Sequence, residues 1–217
     1  MKERALLARA RALAGRTLGE IAKERGVRLP PDTRRHKGAV GELVEKALGA
    51  RGGSRDVVDF PSLGVEVKTI PIDARGRPRE STFVCAIDLR EVGDVEWERS
   101  RVRTKLARVL FVPVEADPSI ALAHRRIGTA VRFTLGGDVE RALAADYALL
   151  AGTLGRGDVE RLTARLGTHL QVRPKAAHGR ERTLSAGDGA DDVVSTVRKG
   201  FYLRASFTRA LLAGAFP

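Results

Sequence analysis

DFPSLGVEVKT, residues 59–69, is the stretch from which both the fold and a reactive site can be predicted. Its second half alternates as a β-strand does, which places Glu66 and Lys68 on one face and lets the intervening valines enter the core. Asp59 precedes Glu66 by seven positions, across a glycine-containing turn, and can return to the same edge. We therefore expect two carboxylates and one ammonium to meet beside a strand over residues 65–70.

Further strands are predicted on both sides of this stretch. A turn at 73–78 followed by a strand at 81–87 has the pattern of a β-hairpin, and the apolar run 109–114 predicts a third, central strand. Short strands are also expected at 170–173 and 200–204. Strands and helical segments are interspersed along the chain, which indicates an α/β protein.

The helices are predicted from apolar residues at helical spacing and from their end signals. Thr17 and Glu20 form a capping-box pattern before the second helix, and Gly26 ends that helix. Residues 176–199 are rich in Gly, Ala and charge with weak periodicity, and we expect a mobile loop there. The expected helices cover residues 2–14, 18–25, 37–48, 138–151, 157–166 and 206–213.

Length and charge narrow the class of protein. The 217 residues suit one large domain or two lobes that share a core. Lys and Arg total 39 against 27 Asp and Glu, which gives a net charge of +12. This excess favours a polyanionic partner such as nucleic acid, because each cation placed on a phosphate releases counterions. A solvated, arginine-rich surface is the alternative.

Cys85 is the only cysteine, so neither an intramolecular disulfide nor a cysteine metal cluster is expected, which fits a reducing cytoplasm. It lies in the apolar run 82–87 and is predicted to be a buried, inert thiol. The N-terminal residues carry acid and frequent arginines without a long apolar core, so no secretion signal is expected. No stretch approaches the roughly 20 apolar residues that span a bilayer.

The acids of residues 59–69 suggest the chemistry of a divalent cation. The carboxylates of Asp59 and Glu66 are hard oxygen ligands of the kind that Mg²⁺ binds, together with waters and substrate phosphate oxygens. Lys68 can hold or deprotonate an attacking water and offset developing negative charge. The alternative is a surface strand that carries an ordinary Glu–Lys pair.

Glu45, on the helix before this strand, can add a third carboxylate. Gly41 and Lys37 lie on the same side of that helix, at four and eight residues before it. A glycine there permits close approach of another element. The alternative for Glu45 is a solvated pair with Lys46 or another neighbour.

Segments along most of the chain match one known family in sequence order. They lie within residues 15–20 (GRTLGE), 37–45, 63–71 (LGVEVKTIP), 76–85, 102–106, 109–115, 171–177 (QVRPKAA) and 200–212. On these segments the chain resembles the MutH family from about residue 5 to residue 216. The loop 176–199 and the short C-terminus depart from the family pattern, which leaves the mechanism of activation less determined than the chemistry.

The resemblance implies a restriction-endonuclease-like α/β fold, with a mixed central sheet flanked by helices and two arms around a DNA cleft. Residues 1–217 would form a single nuclease domain of two lobes. The implied activity is nicking of the unmethylated strand of double-stranded DNA at hemimethylated GATC sites in mismatch repair. MutL, with MutS upstream, is the implied protein partner. The implied cofactor is one or two Mg²⁺ ions, with Mn²⁺ able to substitute and Ca²⁺ binding without cleavage. We expect a cytoplasmic, largely monomeric enzyme.

The resemblance also implies roles for single residues. By position, Asp59 and Glu66 resemble the family's metal-binding acids, Lys68 its catalytic lysine, and Glu45 a further active-site acid. Lys105 matches another lysine that is important for cleavage. The alternative for Lys105 is a contact with any phosphate.

A second group of residues resembles the part of the family that contacts DNA. Arg173-Pro174-Lys175 matches the loop that reads the bases, where an arginine can bond a guanine edge in a bidentate way. Tyr202 matches the aromatic residue associated with sensing adenine methylation, and Phe83 and Lys37 are expected to contact DNA. The alternatives are a simple phosphate contact for the arginine and core packing for the two aromatic residues.

Two other interpretations remain open at this stage. Residues 17–27 look like half of a helix-turn-helix, which would suit a non-catalytic DNA-binding regulator, although Leu29-Pro30-Pro31 interrupts the second helix. A stand-alone type II restriction endonuclease would share all the catalytic residues. A symmetric dimer would favour double-strand cutting, whereas a monomer favours nicking.

Overall fold

A computed structural model of the chain describes residues 2–31, 38–50, 57–158, 166–175, 182–186 and 193–216. The chain divides into two compact units. Unit 1 comprises residues 1–80, 107–134 and 208–217, and unit 2 comprises residues 81–106 and 135–207. Lys37 and most of the helix predicted at 157–166 lie outside the described residues.

The elements are named here in chain order. The helices are α1 (Glu3–Leu13), α2 (Leu18–Glu24), α3 (Ala39–Leu48), α4 (Arg101–Leu106), α5 (Gly137–Gly155) and α6 (Ala205–Leu212). The strands are β1 (Glu66–Ile72), β2 (Thr82–Ala86), β3 (Arg108–Glu115), β4 (Val131–Thr134), β5 (Leu170–Pro174), β6 (Arg182–Ala186), β7 (Val193–Val197) and β8 (Lys199–Leu203).

Unit 1 contains a mixed sheet in the order β1-β3-β4, with β1 parallel to β3 and β4 antiparallel to it. The predicted central position of β3 is confirmed, since six of its eight residues are buried. Apolar side chains of α1, α2 and α3, including Leu6, Ile21 and Leu43, form one core with those of β1 and β3. The predicted capping box is also present, because Thr17 Oγ1 accepts from the amide of Glu20 while the Glu20 carboxylate accepts from the amide of Thr17.

Unit 2 contains an antiparallel sheet in the order β2-β8-β5 and a separate pair, β6-β7. Trp97 and Phe201 pack against Tyr147 of α5, whose hydroxyl donates to the carbonyl of Val95. Cys85 lies buried on β2, as predicted, and is not part of a disulfide. Helices and small sheets in both units make this a mixed α/β protein. In the described part of the chain, no helix is long and apolar enough to cross a membrane.

The predicted β-hairpin between residues 65–70 and 81–87 is wrong. The turn itself exists, because the Asp73 amide donates to the carbonyl of Arg77 and the Asp73 carboxylate accepts from two amides that follow it. Only an isolated bridge, Ile72 to Pro78, continues from it. Pro78 has no amide hydrogen to extend a ladder. β1 instead pairs with β3, and β2 pairs with β8.

The expectation of irregular structure at 176–199 is wrong for the stretches that are described. Residues 182–186 and 193–197 pair as the antiparallel strands β6 and β7. The β-branched run Val193-Val194-Ser195-Thr196-Val197 favours a strand, but the Gly and Ala content of the whole segment obscures that preference. The mobility of this segment stays a prediction.

Candidate active site

Strand β1 brings Glu66 and Lys68 together as the alternation predicted. Lys68 Nζ donates to Oε1 of Glu66 at 2.7 Å. Glu66 is only 3% exposed, and the Lys68 side chain is 15% exposed. The pair is therefore not a solvent-exposed surface pair, because an almost fully buried carboxylate is balanced by a partly buried ammonium.

Asp59 is fixed to the same strand by a hydrogen bond. Its Oδ2 accepts from the backbone amide of Val67 at 2.7 Å. The chain reverses between them through a short 3₁₀ turn at Pro61–Leu63 and through Gly64, whose φ of 63° favours glycine. The predicted return of Asp59 to the edge of β1 is therefore seen in the structure, next to the strand position of Glu66.

Arg108, which sequence reasoning missed, holds this turn from the neighbouring strand. Its guanidinium donates to the carbonyl of Leu63 at 2.8 Å and to the carboxylate of Glu3 at 2.6 Å. The turn between the two acids is thus tied to both β3 and α1. Because these contacts span 45 and 105 residues of sequence, no local spacing signals them.

Glu45 on α3 belongs to the same electrostatic environment. Burial first, and then repulsion from the carboxylates of Asp59 and Glu66, raises the pKa of Glu45 to about 7, while the ammonium of Lys68 opposes the shift. The charged groups of Asp59, Glu66 and Lys68 are therefore close enough to act on the Glu45 carboxylate. A carboxylate placed beside two further carboxylates forms a site that favours a bound cation.

The space beside Gly41 is less restricted than the sequence suggested. A Cβ at this position would lie 3.8 Å from Oε1 of Glu45 and 3.9 Å from Oγ1 of Thr69 on β1. Gly41 therefore does face β1 and the acid cluster. Since both distances are ordinary van der Waals contacts, the close approach of α3 does not require a glycine.

The donor set fits a hard divalent cation, although it is not a closed cage. Asp59, Glu66 and Glu45 offer only carboxylate oxygens, which are the ligands that Mg²⁺ prefers. Among the residues that the structure describes, no three Asp, Glu, His or Cys side chains are already arranged to hold a metal ion. Mg²⁺ sites commonly use one or two carboxylates and complete the shell with waters and substrate phosphates. The residues present fit that kind of site.

Lys105 lies in unit 2, near the C-terminal end of α4. It is 6% exposed, and Ser100 precedes the helix with its hydroxyl accepting from the amide of Arg103. A lysine this deeply buried is uncommon, so Lys105 is not an ordinary solvated surface charge.

Four of the residues predicted to contact DNA lie together on one face of the β2-β8-β5 sheet. Phe83 pairs directly with Tyr202 across the strands, and their rings meet edge to face at 5.3 Å. The guanidinium carbon of Arg173 lies 5.9 Å from the Tyr202 ring centre, and Lys175 Nζ lies 4.9 Å from that of Phe83. We call these four residues the aromatic–cationic face. Pro174 is exposed at the end of β5.

Two residues that the sequence did not single out shape the aromatic–cationic face. Ser81 Oγ accepts from Nη1 of Arg173 at 2.6 Å and so orients the guanidinium. Gly200 leaves room for an aromatic ring, since a Cβ there would lie 2.8 Å from Cε2 of Phe83 and 3.0 Å from the carbonyl oxygen of Cys85. Only the glycine itself is visible in the sequence, and its partner across the sheet is not.

The sequence of the chain matches one family of known proteins. A family model described as the DNA mismatch repair enzyme MutH matches residues 48–146. The DNA mismatch repair proteins MutH of Salmonella newport, Salmonella enteritidis and Salmonella choleraesuis are each 49% identical to the chain over 214 residues. These alignments cover 99% of this chain and 92% of each relative. The chain belongs to the MutH family.

Membership of the MutH family confirms the resemblance found in the sequence and makes the chain a DNA mismatch repair endonuclease. A non-catalytic regulator is not favoured, and neither is a stand-alone restriction enzyme. The structure agrees on the first point, because the described residues that follow α2, Val27 to Pro31, are not helical.

Proposed function

We propose that this MutH-family enzyme nicks the unmethylated strand of hemimethylated GATC duplexes by Mg²⁺-dependent phosphodiester hydrolysis. The observation that carries the proposal is the convergence on β1, where Asp59 is bonded to the strand backbone beside the buried Glu66–Lys68 pair. Asp59 and Glu66 would hold the ion, and Glu45 would add a third carboxylate. Mn²⁺ would substitute for Mg²⁺, and Ca²⁺ would support binding without cleavage.

The chemistry of the site follows from its charges. When held by the carboxylates, Mg²⁺ would polarise a phosphoryl oxygen and favour the ionisation of water. Lys68 would hold the attacking water and offset the negative charge that develops on the phosphoryl oxygens. The water oxygen forms a bond to phosphorus while the bond from phosphorus to the 3′-oxygen breaks. The products are a 5′-phosphate and a 3′-hydroxyl. Lys105 would add positive charge during cleavage.

Recognition of the site is assigned to the aromatic–cationic face. Arg173 would bond the O6 and N7 atoms of a guanine, with Pro174 limiting the conformations of the loop. Lys175 would contact the backbone. The Tyr202 ring would exclude one adenine N6-methyl group by shape while its hydroxyl still bonds. Phe83 would press near the bases, and Lys37 would contact the DNA near the catalytic centre.

The wider context of the proposal comes from the family resemblance. It includes a restriction-endonuclease-like arrangement with two arms around a DNA cleft, in a single nuclease domain of two lobes. MutL would activate the enzyme after MutS finds a mismatch. The enzyme would act as a cytoplasmic monomer, which suits a single nick better than a double-strand cut.

The test is a strand-specific cleavage assay with three otherwise identical duplexes. Unmethylated, hemimethylated and fully methylated GATC duplexes, with a different label on each strand, are incubated with the protein and Mg²⁺. We expect the unmethylated strands to be cut and the methylated strands to stay intact. Equal cutting of methylated and unmethylated strands would contradict the proposal, and concerted cutting of both strands would favour a restriction-type enzyme instead.

A further inference from the structure

A buried carboxylate in unit 2 has no part in the proposed chemistry. Asp146 of α5 is 6% exposed, and its carboxylate bonds to backbone amides. Its Oδ1 accepts from the amide of Thr168 at 2.7 Å. Its Oδ2 accepts from the amides of His169 and Leu170 at 2.6 and 2.8 Å. Three charge-assisted bonds to successive amides fix a segment of backbone more firmly than core packing alone.

The same segment is held from its other side by a cation. Arg204 donates from Nε to the carbonyl of Gly167 at 2.9 Å and from Nη2 to the carbonyl of Leu166 at 2.8 Å. Its own amide donates to the carbonyl of His169 at 2.8 Å. In the turn at 166–170, backbone amides therefore donate to a carboxylate, and backbone carbonyls accept from a guanidinium. We call Asp146, Arg204 and this turn the β5 clamp.

Gly167 makes the tight turn of the β5 clamp possible. Its φ is 79°, a value that residues with side chains rarely adopt, and a Cβ there would clash with the carbonyl oxygen of Leu170. The same Cβ would lie 3.4 Å from Cγ of Asp146. The Asp146 carboxylate thus packs closely against the turn, and this packing fixes the residue at which β5 begins.

Strand β5 begins at Leu170, inside the clamp, and runs directly into the proposed base-reading loop. Its register with β8 pairs Gln171 with Tyr202 and Arg173 with Gly200. Because Arg173 lies two residues beyond Gln171, the two side chains share the face of Tyr202. A slip of one residue would move Arg173 to the opposite face, away from Tyr202 and Ser81.

We propose that Asp146 and Arg204 are positioning residues for sequence recognition. By clamping the turn at 166–170, they set the register of β5 and so place the Arg173 guanidinium over Tyr202. This inference rests on the proposed function, since it assumes that Arg173 reads a base. It predicts that the clamp controls the choice of DNA sequence, whereas the cluster around Glu66 controls the hydrolytic chemistry.

The test compares Asp146→Asn with Asp138→Asn, a matched change on the same helix. The Asp138 side chain is 90% exposed, so its loss leaves β5 untouched. The asparagine at 146 keeps the shape of the side chain but removes the charge and replaces one acceptor oxygen with a donor that faces an amide. We measure kcat/KM on a hemimethylated GATC duplex and on a duplex of altered sequence. We expect the ratio of kcat/KM on the GATC duplex to kcat/KM on the altered duplex to fall at least tenfold for D146N. The same ratio should stay at the parent value for D138N.

A second variant and a second measurement separate positioning from a general loss of stability. Arg204→Lys keeps the charge but cannot donate from two nitrogens of a planar group. It should lower the same ratio, while hydrogen exchange accelerates at residues 168–175 and not across β2. Folded D146N and R204K enzymes with the parent ratio, or with exchange that accelerates evenly through the sheet, would overturn the inference. Failure of the proposed function would appear separately, as a parent enzyme that cuts both duplexes equally.

Discussion

Lys68 Nζ lies 2.7 Å from Oε1 of Glu66, two residues away on the same face of β1. Glu66 is almost fully buried, so the ammonium of Lys68 offsets part of the free-energy cost of removing its carboxylate from water. Asp59 is bonded to the amide of the residue between them. One strand thus carries a buried carboxylate, its ammonium partner and the anchor of a second carboxylate within three positions.

Replacing Lys68 tests this pairing. Lys68→Ala should lower the rate of nicking by at least about 100-fold, in line with the loss of a positioned proton-transfer or charge-stabilising group, and leave DNA binding in Ca²⁺ intact. It should also lower the free energy of unfolding in EDTA by roughly 1–3 kcal/mol, because Glu66 is left buried without its counter-charge. Single-turnover cleavage, a binding titration and urea unfolding measure the three effects.

The control for this change is Lys46→Ala, which removes an exposed lysine from the adjoining helix α3. It should leave cleavage and stability within experimental error of the parent. A Lys68→Ala enzyme that nicks at the parental rate would remove Lys68 from the proposed mechanism.

Glu45→Gln should change how stability depends on pH when metal is absent. Burial and the neighbouring carboxylates raise the pKa of Glu45 from 4.5 to about 7 in the folded protein. Stability from the protonated form is therefore fully present below pH 4.5 and is lost as the pH rises through 7. Glutamine does not ionise, so E45Q should gain roughly 1–3 kcal/mol over the parent between pH 5 and pH 8. Urea unfolding in EDTA at both pH values measures the difference.

Mg²⁺ provides an internal check on this result. A cation at the site favours the ionised carboxylate, so adding Mg²⁺ at pH 8 should reduce the advantage of E45Q. Glu98→Gln, at an exposed position in unit 2, should follow the parent at both pH values. If the free energy of unfolding depended on pH in the same way for E45Q and the parent, Glu45 would lie outside the acid cluster.

Arg173→Ala should weaken sequence preference rather than catalysis. A bidentate contact to guanine contributes about 1–3 kcal/mol of discrimination, so the preference for GATC over an altered site should fall roughly 5- to 150-fold. Ser81→Ala removes the acceptor 2.6 Å from Nη1 of Arg173 and should give a smaller loss in the same direction. Competition cleavage of two labelled duplexes measures the ratio. Arg99→Ala, an exposed change in the same unit, is the control, and unchanged discrimination in R173A would refute the assignment.

Gly200→Ala tests the fit of the Phe83 ring on β8. A Cβ would lie 2.8 Å from Cε2 of Phe83 and 3.0 Å from the backbone oxygen of Cys85, and this oxygen has little freedom to move. We expect a loss of about 1–3 kcal/mol in the free energy of unfolding, as for other overpacked sites. Gly136→Ala is the matched control, because no atom lies within 4 Å of its Cβ position.

The Phe83→Ala background separates the two clashes. If the ring causes most of the strain, G200A should cost less stability in F83A than in the parent, which a double-mutant cycle measures. Additive effects of the two changes would show that the ring has room to move.

Much of unit 1 was predictable because its signals are local. The alternation around Glu66 and the capping box at Thr17 each act over a few residues, and both predictions were confirmed. Long-range pairing was not predictable in the same way. The turn after β1 suggested a hairpin, but the choice of β3 as partner depends on burial of both strands in one core.

The supports of the site could not be read from the sequence for the same reason. Ser81 and Arg173 are 92 residues apart, and the bonds of Asp146 reach 22 to 24 residues along the chain. Neither pair has a spacing that any single element would produce. The family resemblance marked Arg173 and Tyr202, but the residues that hold them in place are seen only in the folded structure.

The most direct test of the central claim is the position of a bound divalent ion. Crystals of the protein with a GATC duplex are soaked in Mn²⁺, and anomalous diffraction locates the metal. We predict a peak with carboxylate oxygens of both Asp59 and Glu66 at roughly 2.0–2.3 Å and a DNA phosphate oxygen completing the shell. A fully active enzyme whose metal lies away from both acids would contradict the account.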